Sequence, residues 1–181
     1  MNRTEYHHSI GELDEALLDR IYALHRDTFL RHGHEPYLTR AFFSEVARTM
    51  PESLMVKLAL HGRTLVAVAI FFLGGGALYG RYWGAAADYH SLHFETCYHQ
   101  GIEFCIERGI ERFEPGTQGE HKVSRGFEPT ITWSAHYIAD ADFRAAIAEY
   151  LERPRVLTTD LLDRAGRGYF VHEAAATGEA S

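Results

Sequence analysis

The sequence predicts an α/β domain of the α+β kind, in which a mixed, mostly antiparallel sheet is flanked by helices. Two observations lead to this class. The chain has 181 residues, of which 46% are hydrophobic and 24% are charged, a mixture typical of one globular domain with a sizeable core. Helical and strand-like segments follow each other without an internal repeat or a linker. We therefore expect a single domain over residues 1–172 and a small, polar, flexible tail over residues 173–181.

Two helices and three strands are predicted in the first half of the chain. Residues 13–30 carry leucine and isoleucine at helical spacing, which predicts the first helix. Thr39 can cap a second helix, and Pro51 then ends it. The strands that follow are predicted at Leu54–His61, Thr64–Leu73 and Ala77–Trp83, with a hairpin turn at 61–63 between the first two.

The second half begins with the clearest helix of the chain. Ser91 is its predicted N-cap, and Gly109 occupies the position of a left-handed C-terminal cap. Cys97 and Cys105 lie on this helix about 12 Å apart, which is too far for a disulfide. The later predicted elements are a short strand at Ile110–Phe113, an alternating strand at Thr130–Ile138, a helix from an Asp140 cap through Leu151, and a weaker helical stretch at Val156–Leu162.

Composition and charge narrow the range of functions. The formal net charge of −7 predicts a surface that repels DNA. The longest apolar run, Leu65–Leu73, has the length of a strand and is far too short to span a membrane. The first nine residues lack the apolar core of a signal peptide, so we expect a cytoplasmic protein.

The loop at residues 114–127 carries side chains suited to chemistry. It follows a short strand and places polar and charged residues between glycines, which can bring a base, a cation and amide donors together. On composition alone, a polar surface loop with turn glycines is the simpler interpretation. The candidate residues of this loop are Gln118, Glu120, His121, Lys122 and Arg125.

A second candidate segment surrounds Arg81. An arginine inside an aromatic strand needs a partner or a ligand, because a buried charge is costly when it stands alone. His93 and Glu95 follow in the first turn of the next helix, where Glu95 can complement the helix dipole and His93 can be a half-buried polar residue. We expect this segment and the 118–125 loop to meet around one hollow at the edge of the sheet.

Three blocks within these segments carry a resemblance to a known family. They read Leu-Tyr-Gly-Arg-Tyr-Trp-Gly at 78–84, Leu-His-Phe-Glu-x-Cys-Tyr at 92–98 and Gly-x-Gln-Gly-Glu-His-Lys-x-x-Arg-Gly-Phe at 116–127. The blocks resemble the signatures of the FemAB-like predicted N-acyltransferases, once labelled peptidoglycan biosynthesis/recognition proteins. The likeness runs from about Leu17 to about Leu151.

The resemblance implies a GNAT-like acyltransferase fold, and the order of the predicted elements matches that architecture. It also implies an N-acyltransferase that moves an acyl or aminoacyl group onto an amine of a small molecule or peptide, as the Fem enzymes do in cell-wall building. Family members are about twice as long and contain two GNAT-like halves, and this chain matches only the C-terminal half. We therefore expect a homodimer or a missing N-terminal half.

The reaction implied by the family assigns roles to the candidate residues. Acyl transfer to an amine needs a base, a donor for the developing oxyanion and a grip on the acyl donor. The candidate catalytic bases are Glu120, His121 and His136. The candidate substrate-binding residues, which include the cations suited to anionic groups, are Arg81, His93, Glu95, Tyr98, Gln118, Lys122, Arg125 and Ser134.

The acyl donor implied by the resemblance is an acyl-CoA or an aminoacyl-tRNA, and the acidic net charge mildly disfavours tRNA. Residues 81–86 fit the Arg-x-x-Gly-x-Ala pattern of a GNAT pyrophosphate loop, which makes Arg81 and Gly84 candidate cofactor-binding residues. An aromatic strand that ends in small turn residues is the simpler interpretation of the same segment. No metal is expected.

Two other functions remain open at this stage. A metal enzyme would draw on His32-x-His34, His93-x-Glu95 and Glu120-His121, none of which has the spacing of an established zinc motif. A non-catalytic recognition domain would instead hold a glycan or a peptide on the aromatic side chains of Tyr79, Tyr82 and Trp83.

Overall fold

The computed structural model describes residues 4–11, 13–116, 120–128, 130 and 135–151, with the backbone alone at residue 120. The chain divides into two compact units, residues 1–118 and 119–181. The single domain expected over 1–172 remains a prediction. The predicted helical stretch Val156–Leu162 and the predicted tail lie outside the described residues.

The first unit is built on a five-stranded sheet in the order β1-β2-β3-β4-β5. The first four strands are antiparallel neighbours, and β5 pairs with β4 in parallel. A parallel pair needs a crossover connection, which the helical segment between β4 and β5 supplies. The strands are β1 (Thr4–Ile10), β2 (Leu54–His61), β3 (Thr64–Gly74), β4 (Ala77–Ala85) and β5 (Arg112–Glu114).

Four α-helical segments accompany this sheet in the first unit. The third and fourth are joined by a π-helical segment at Glu95–His99, so that one continuous helix connects β4 to β5. A 3-10 turn at Pro51–Ser53 precedes β2. The helices are α1 (Glu15–Arg31), α2 (Arg40–Thr49), α3 (Leu92–Phe94) and α4 (Gln100–Arg108).

The second unit contains two described elements, a 3-10 segment at Glu120–Arg125 and a helix, α5, at 141–151. Asp140 caps α5 as predicted, since its Oδ1 accepts a hydrogen bond from the Phe143 backbone N–H at 2.8 Å. Residues 135–138, which belong to the predicted strand Thr130–Ile138, do not lie in a strand. The prediction is wrong for these four residues, because strand-like alternation alone does not produce a strand.

Local signals explain where the helices of the first unit begin and end. The predicted cap of α2 is confirmed, because Thr39 Oγ1 accepts a hydrogen bond from the Phe42 N–H at 3.3 Å. Gly109 has a φ of 65° and ends α4 as predicted. Ser91 occupies the N-cap position of α3 as predicted, but its φ is 59° and its side chain makes no capping hydrogen bond.

The core of the first unit lies on both faces of the sheet. Helices α1 and α2 cover one face, and the helix from α3 to α4 covers the other. Because strand residues alternate between faces, neighbouring positions of β2 and β3 contribute to different clusters. The first cluster includes Leu18, Ile21, Phe43, Val56 and Ile70. The second includes Met55, Phe71, Leu78, Phe104 and Cys105.

Candidate functional site: a cleft beside strand β4

A β-bulge in β4 places Arg81 outside the regular strand register. Ile70 of β3 pairs with Tyr82, whereas the next residue of β3, Phe71, pairs with Gly80. Arg81 is therefore the extra residue of the bulge. Such bulges bend the strand, leave the extra residue out of the hydrogen-bond ladder and occur often beside active sites.

The pairing of β4 with β5 ends at the level of this bulge. The last pair in register is Tyr79 with Glu114. The next residue along β5 is Pro115, which has no backbone N–H to continue the ladder. Gly80 lies so close to Pro115 that an added Cβ would be 3.4 Å from its Cα. The bulge and the end of β5 therefore leave an opening beside β4.

A cleft of about 90 Å³ occupies this opening. Its floor and one wall come from β3 and β4, and its other walls come from Pro115 and from the helix that begins at α3. The cleft brings together three of the predicted substrate-binding residues, Arg81, His93 and Tyr98. The sequence did not point to two further lining residues, Cys97 and Pro115.

Aromatic contacts fix the side chains that face the cleft. The ring of His93 lies edge-on to Trp83 with 5.3 Å between centroids, and 5.5 Å from the ring of Tyr98. Tyr98 is only 5% exposed. Arg81 is exposed, which corrects the expectation of a buried charge, and its guanidinium lies 5.6 Å from the ring of its neighbour Tyr82, within cation–π range. An imidazole and a phenol thus flank the bulge in fixed positions.

The π-helical segment helps to align these residues. The Gln100 N–H donates to the Glu95 carbonyl, an i to i+5 hydrogen bond. In a regular α-helix, residues five apart point about 140° away from each other. The wider π turn reduces that angle, which brings His93 and Tyr98 to the same cleft. Single π turns of this kind are frequent at functional sites.

The thiols of this helix are poor nucleophiles. Burial raises the pKa of the Cys97 thiol well above its ordinary value, and burial also raises the pKa of Cys105. Both cysteines are free, as their predicted separation requires. A thiolate at Cys97 is therefore strongly disfavoured, although the residue lines the cleft.

Glu95 does not share the cleft with Arg81. It lines a separate groove on the other side of the helix start, together with Tyr6, His90 and Leu92. Two residues along a helix turn by about 200°, so Glu95 and His93 face opposite ways. The structure therefore separates two residues that the sequence analysis grouped together.

Gly84 has a packing role that sequence reasoning missed. A Cβ at this position would lie 2.5 Å from the backbone N of His25 and 2.5 Å from the carbonyl carbon of Leu24, so α1 crosses β4 in direct backbone contact. The following amides are also engaged: Ala85 N–H donates to Thr28 Oγ1 at 3.2 Å, and Ala86 N–H donates to the Val66 carbonyl at 2.9 Å. The predicted phosphate contact of Arg81 and Gly84 stays a prediction.

The remaining candidates belong to the second unit. The carbonyl of His121 accepts hydrogen bonds from Ser124 Oγ at 2.9 Å and from Arg125 Nη1 at 2.6 Å, so the arginine side chain folds back onto its own 3-10 segment. Burial lowers the pKa of Lys122. His136 is exposed. Gln118 and Ser134 lie outside the described residues, and Glu120 is described by its backbone alone.

Neither a cluster of metal-ligating side chains nor a membrane-spanning helix occurs among the described residues. No group of three or more histidine, cysteine, aspartate or glutamate side chains that could hold a metal ion occurs among them. His32 instead places its Nδ1 2.7 Å from the Thr28 carbonyl. In the same part of the chain, no helix combines the length and the apolar character needed to cross a membrane.

The fold matches solved acetyltransferase structures at low sequence identity. A predicted acetyltransferase from Clostridium acetobutylicum, crystallised with acetyl-CoA, gives a TM-score of 0.54 at 12% identity, with 75% of this chain and 96% of that chain covered. A possible acetyltransferase from Clostridium difficile 630 gives 0.56 at 11% identity, with 76% and 98% covered. The aminoglycoside N-acetyltransferase AAC(6')-Iy in complex with CoA gives 0.52 at 12% identity, with 77% and 97% covered.

The sheet order, the parallel β4–β5 pair and these matches define the class: the chain has the fold of the GNAT acetyltransferases. The sequence model of one family, described as FemAB-like, peptidoglycan biosynthesis/recognition, matches residues 4–168. The chain belongs to the FemAB-like family. The match extends beyond both ends of the likeness seen in the sequence blocks. No protein of curated function matches the chain.

Proposed function

We propose that this chain is an N-acyltransferase that moves a small acyl group from a coenzyme A thioester to an amine. The observation that carries the proposal is the cleft at the β4 bulge, where Arg81, His93 and Tyr98 converge at the end of the β4–β5 pairing. A bulged strand can offer backbone N–H groups to a thioester carbonyl, and such donors stabilise the oxyanion that develops during acyl transfer.

The size of the cleft favours a small acyl group. Its volume is about 90 Å³. That volume accommodates an acetyl group and the thioester sulfur, and the rest of the donor would lie outside. An acyl-CoA is therefore a better fit than an aminoacyl-tRNA, whose aminoacyl group is usually larger.

The reaction requires proton transfer from the amine. The amine nitrogen attacks the thioester carbonyl carbon, the C–N bond forms, and the C–S bond breaks. A base takes the proton from the nitrogen, and the leaving thiolate takes up a proton to give the free thiol. We assign the base to His93, because it lines the cleft and histidine is the usual proton carrier near neutral pH. The high pKa of Cys97 favours direct transfer over an acyl-cysteine intermediate.

The residues predicted in the second half of the chain are rival candidates if they take part in the same reaction. The rival bases are Glu120, His121 and His136, and the rival anion-binding residues are Lys122 and Arg125. Gln118 and Ser134 remain predicted substrate-binding residues in that wider version, whereas Glu95 lines the separate groove. The proposal also includes a cytoplasmic location, a cell-wall amine as acceptor and a homodimer or an N-terminal half as partner. The acceptor and the partner rest on the family, and the location rests on the sequence of the first nine residues.

Binding of the donor can be measured through the cleft itself. The chain has two tryptophans, Trp83 and Trp133, and Trp83 lines the cleft. A Trp133→Phe variant leaves Trp83 as the single emitter. We expect acetyl-CoA to change its fluorescence saturably, with a weaker response to free adenosine diphosphate. No change at millimolar acetyl-CoA would contradict the assignment of the donor to this cleft.

Turnover is tested by release of free thiol from acetyl-CoA in the presence of an amine panel that includes glucosamine and lysyl peptides. We expect His93→Gln to lower the rate by about 100-fold, the usual contribution of a positioned base. His7→Gln, an exposed histidine on β1, is the matched control and should keep the wild-type rate. If His121→Gln abolishes transfer and His93→Gln does not, the base lies in the second unit. Donor binding without any turnover would instead support the recognition-domain alternative.

A further inference from the structure

A second, larger groove lies on the side of the helix start that faces away from the cleft. Its volume is about 530 Å³, within the range of about 300–1,000 Å³ typical of small-molecule sites. Strand β1, the β2–β3 turn and the segment that leads into α3 form its walls. The lining residues include Tyr6, Val66, Tyr89, Ser91, Leu92 and Glu95.

Glu95 is the one carboxylate among the lining residues, and its orientation is fixed. Gln100 Nε2 donates to Glu95 Oε1 at 3.0 Å, and His99 Nδ1 lies 3.2 Å from Oε2. The side chain is 34% exposed, so the carboxylate still faces the groove. Each carboxylate oxygen has more than one lone pair, so both can accept a further hydrogen bond. Among the described residues, the groove is lined by no lysine or arginine, and its two lining histidines are His61 and His90.

Tyr6 faces the groove from the neighbouring edge strand. Burial, and then the negative charge of Glu95, raise the pKa of its phenol, and both side chains line the groove. Within the described residues, the Tyr6 hydroxyl makes no hydrogen bond to Glu95 or to any other group. A phenol and a carboxylate therefore line the same groove.

The chain leading into the helix is strained where it borders the groove. Ser91 has a φ of 59°, and it is the only non-glycine residue with a positive φ in the described part of the chain. Such a backbone conformation raises the free energy of the folded state by about 1 kcal/mol or more. It is found where contacts with the surrounding structure hold it in place, often at ligand sites. Here it turns the backbone so that Tyr89 and Leu92 border the same groove as Glu95.

From these features we propose that the groove binds a small organic cation, a primary ammonium group attached to an apolar or aromatic body. The ammonium would donate hydrogen bonds to Glu95 and to the Tyr6 hydroxyl. The body would lie on Val66 and Leu92 and against the ring of Tyr89, which is 39% exposed. Aromatic faces add to the attraction for a cation.

This site is separate from the acyltransfer cleft and does not depend on the proposed function. His93, Cys97 and Tyr98 face the cleft, whereas Leu92 and Glu95 face the groove. A cation bound at the groove would contact the same helical segment that carries His93. Binding can therefore be measured without any acyl donor or any turnover.

The test compares 2-phenylethylamine with 2-phenylethanol, which has a similar body and no charge. We expect saturable binding of the amine by calorimetry at pH 7.5, with the alcohol at least about 10-fold weaker, because the charge-assisted hydrogen bonds are lost. Equal affinity for the two probes would overturn the proposal, and so would the absence of measurable amine binding at millimolar concentration.

Variants locate the binding in this groove. Glu95→Gln keeps the shape of the side chain and should weaken amine binding by about 10-fold, with no effect on the alcohol. Tyr6→Phe should weaken it by a smaller factor of about 3, since it removes one neutral acceptor. Glu111→Gln, an exposed carboxylate outside the groove, should bind like the wild type. If Glu95→Gln and Tyr6→Phe both fold and bind the amine at wild-type affinity, the groove is not the site.

Discussion

His25 links the stability of the protein to pH. It lies in α1, is fully buried, and has rings of Phe29 and Tyr82 at 4.7 Å. Neither ring nitrogen has a hydrogen-bond partner in the described part of the chain. Burial lowers the pKa of His25 from 6.5 to about 4. The folded pKa lies below the unfolded value, so the folded state binds a proton at His25 less readily than the unfolded state does. The full stability is therefore present above pH 6.5, and the free energy of unfolding decreases as the pH falls towards 4.

The size of this effect follows from the pKa difference of about 2.5 units between the unfolded and folded states. At about 1.36 kcal/mol per unit, the loss approaches about 3 kcal/mol well below pH 4. The same linkage gives a loss of roughly 2 kcal/mol at pH 5 and almost none at pH 7.5. A loss of 2 kcal/mol is a large part of the free energy of unfolding of a small domain, which is about 5–15 kcal/mol.

The assay is urea unfolding followed by circular dichroism at several pH values between 7.5 and 5. His25→Leu removes the titrating group and keeps an apolar side chain of similar size, so its unfolding free energy should fall by about 2 kcal/mol less than that of the wild type over this range. His7→Gln changes an exposed histidine and should follow the wild-type profile. Parallel profiles for His25→Leu and the wild type would refute the reasoning.

Three further predictions concern packing and a hydrogen bond. Gly84→Ala should lower the free energy of unfolding by about 3 kcal/mol in urea titrations, since the new methyl group meets the backbone of α1, whereas Gly74→Ala, which meets nothing within 4 Å, should change it by less than about 1 kcal/mol. Thr28→Val removes the acceptor of the Ala85 N–H and should cost about 1–2 kcal/mol, measured in the same way. Phe104→Ala, at a position only 1% exposed, should lower the melting temperature through a loss of about 3–5 kcal/mol; a cost below 1 kcal/mol would contradict its place in the core.

The elements with strong local signals could be predicted from the sequence. The bounds of β2 match the prediction, and α1 and β3 differ from it by one or two residues, because their periodicity and turns are local. Strand β1 was missed, since its residues Thr4–Ile10 include two histidines and little apolar alternation, and it forms by pairing with β2. The bulge at Arg81 and the π turn were missed too, because both arise from contacts between elements distant in sequence.

The candidate site was predictable only in part. The sequence pointed to Arg81, His93 and Tyr98, which the structure brings to one cleft. It did not separate Glu95 from them, although helical geometry alone indicates opposite directions for residues two apart. The packing role of Gly84 depends on where α1 crosses the sheet, which no local pattern indicates. The expected meeting of the 118–125 loop with Arg81 stays a prediction.

The two walls of the cleft differ in how firmly they are held. Arg31 Nη2 donates to the Ala85 carbonyl at 2.7 Å, and Gly84 packs directly against the backbone of α1. These two contacts hold the end of β4 against α1. The opposite wall, Pro115, follows a strand joined to β4 by three register pairs. If the cleft holds the acyl group as proposed, adaptation to longer acyl chains would come from movement of Pro115. Preference between acetyl and butyryl thioesters should accordingly respond to changes at Phe113 and Pro115 more than to changes in α1.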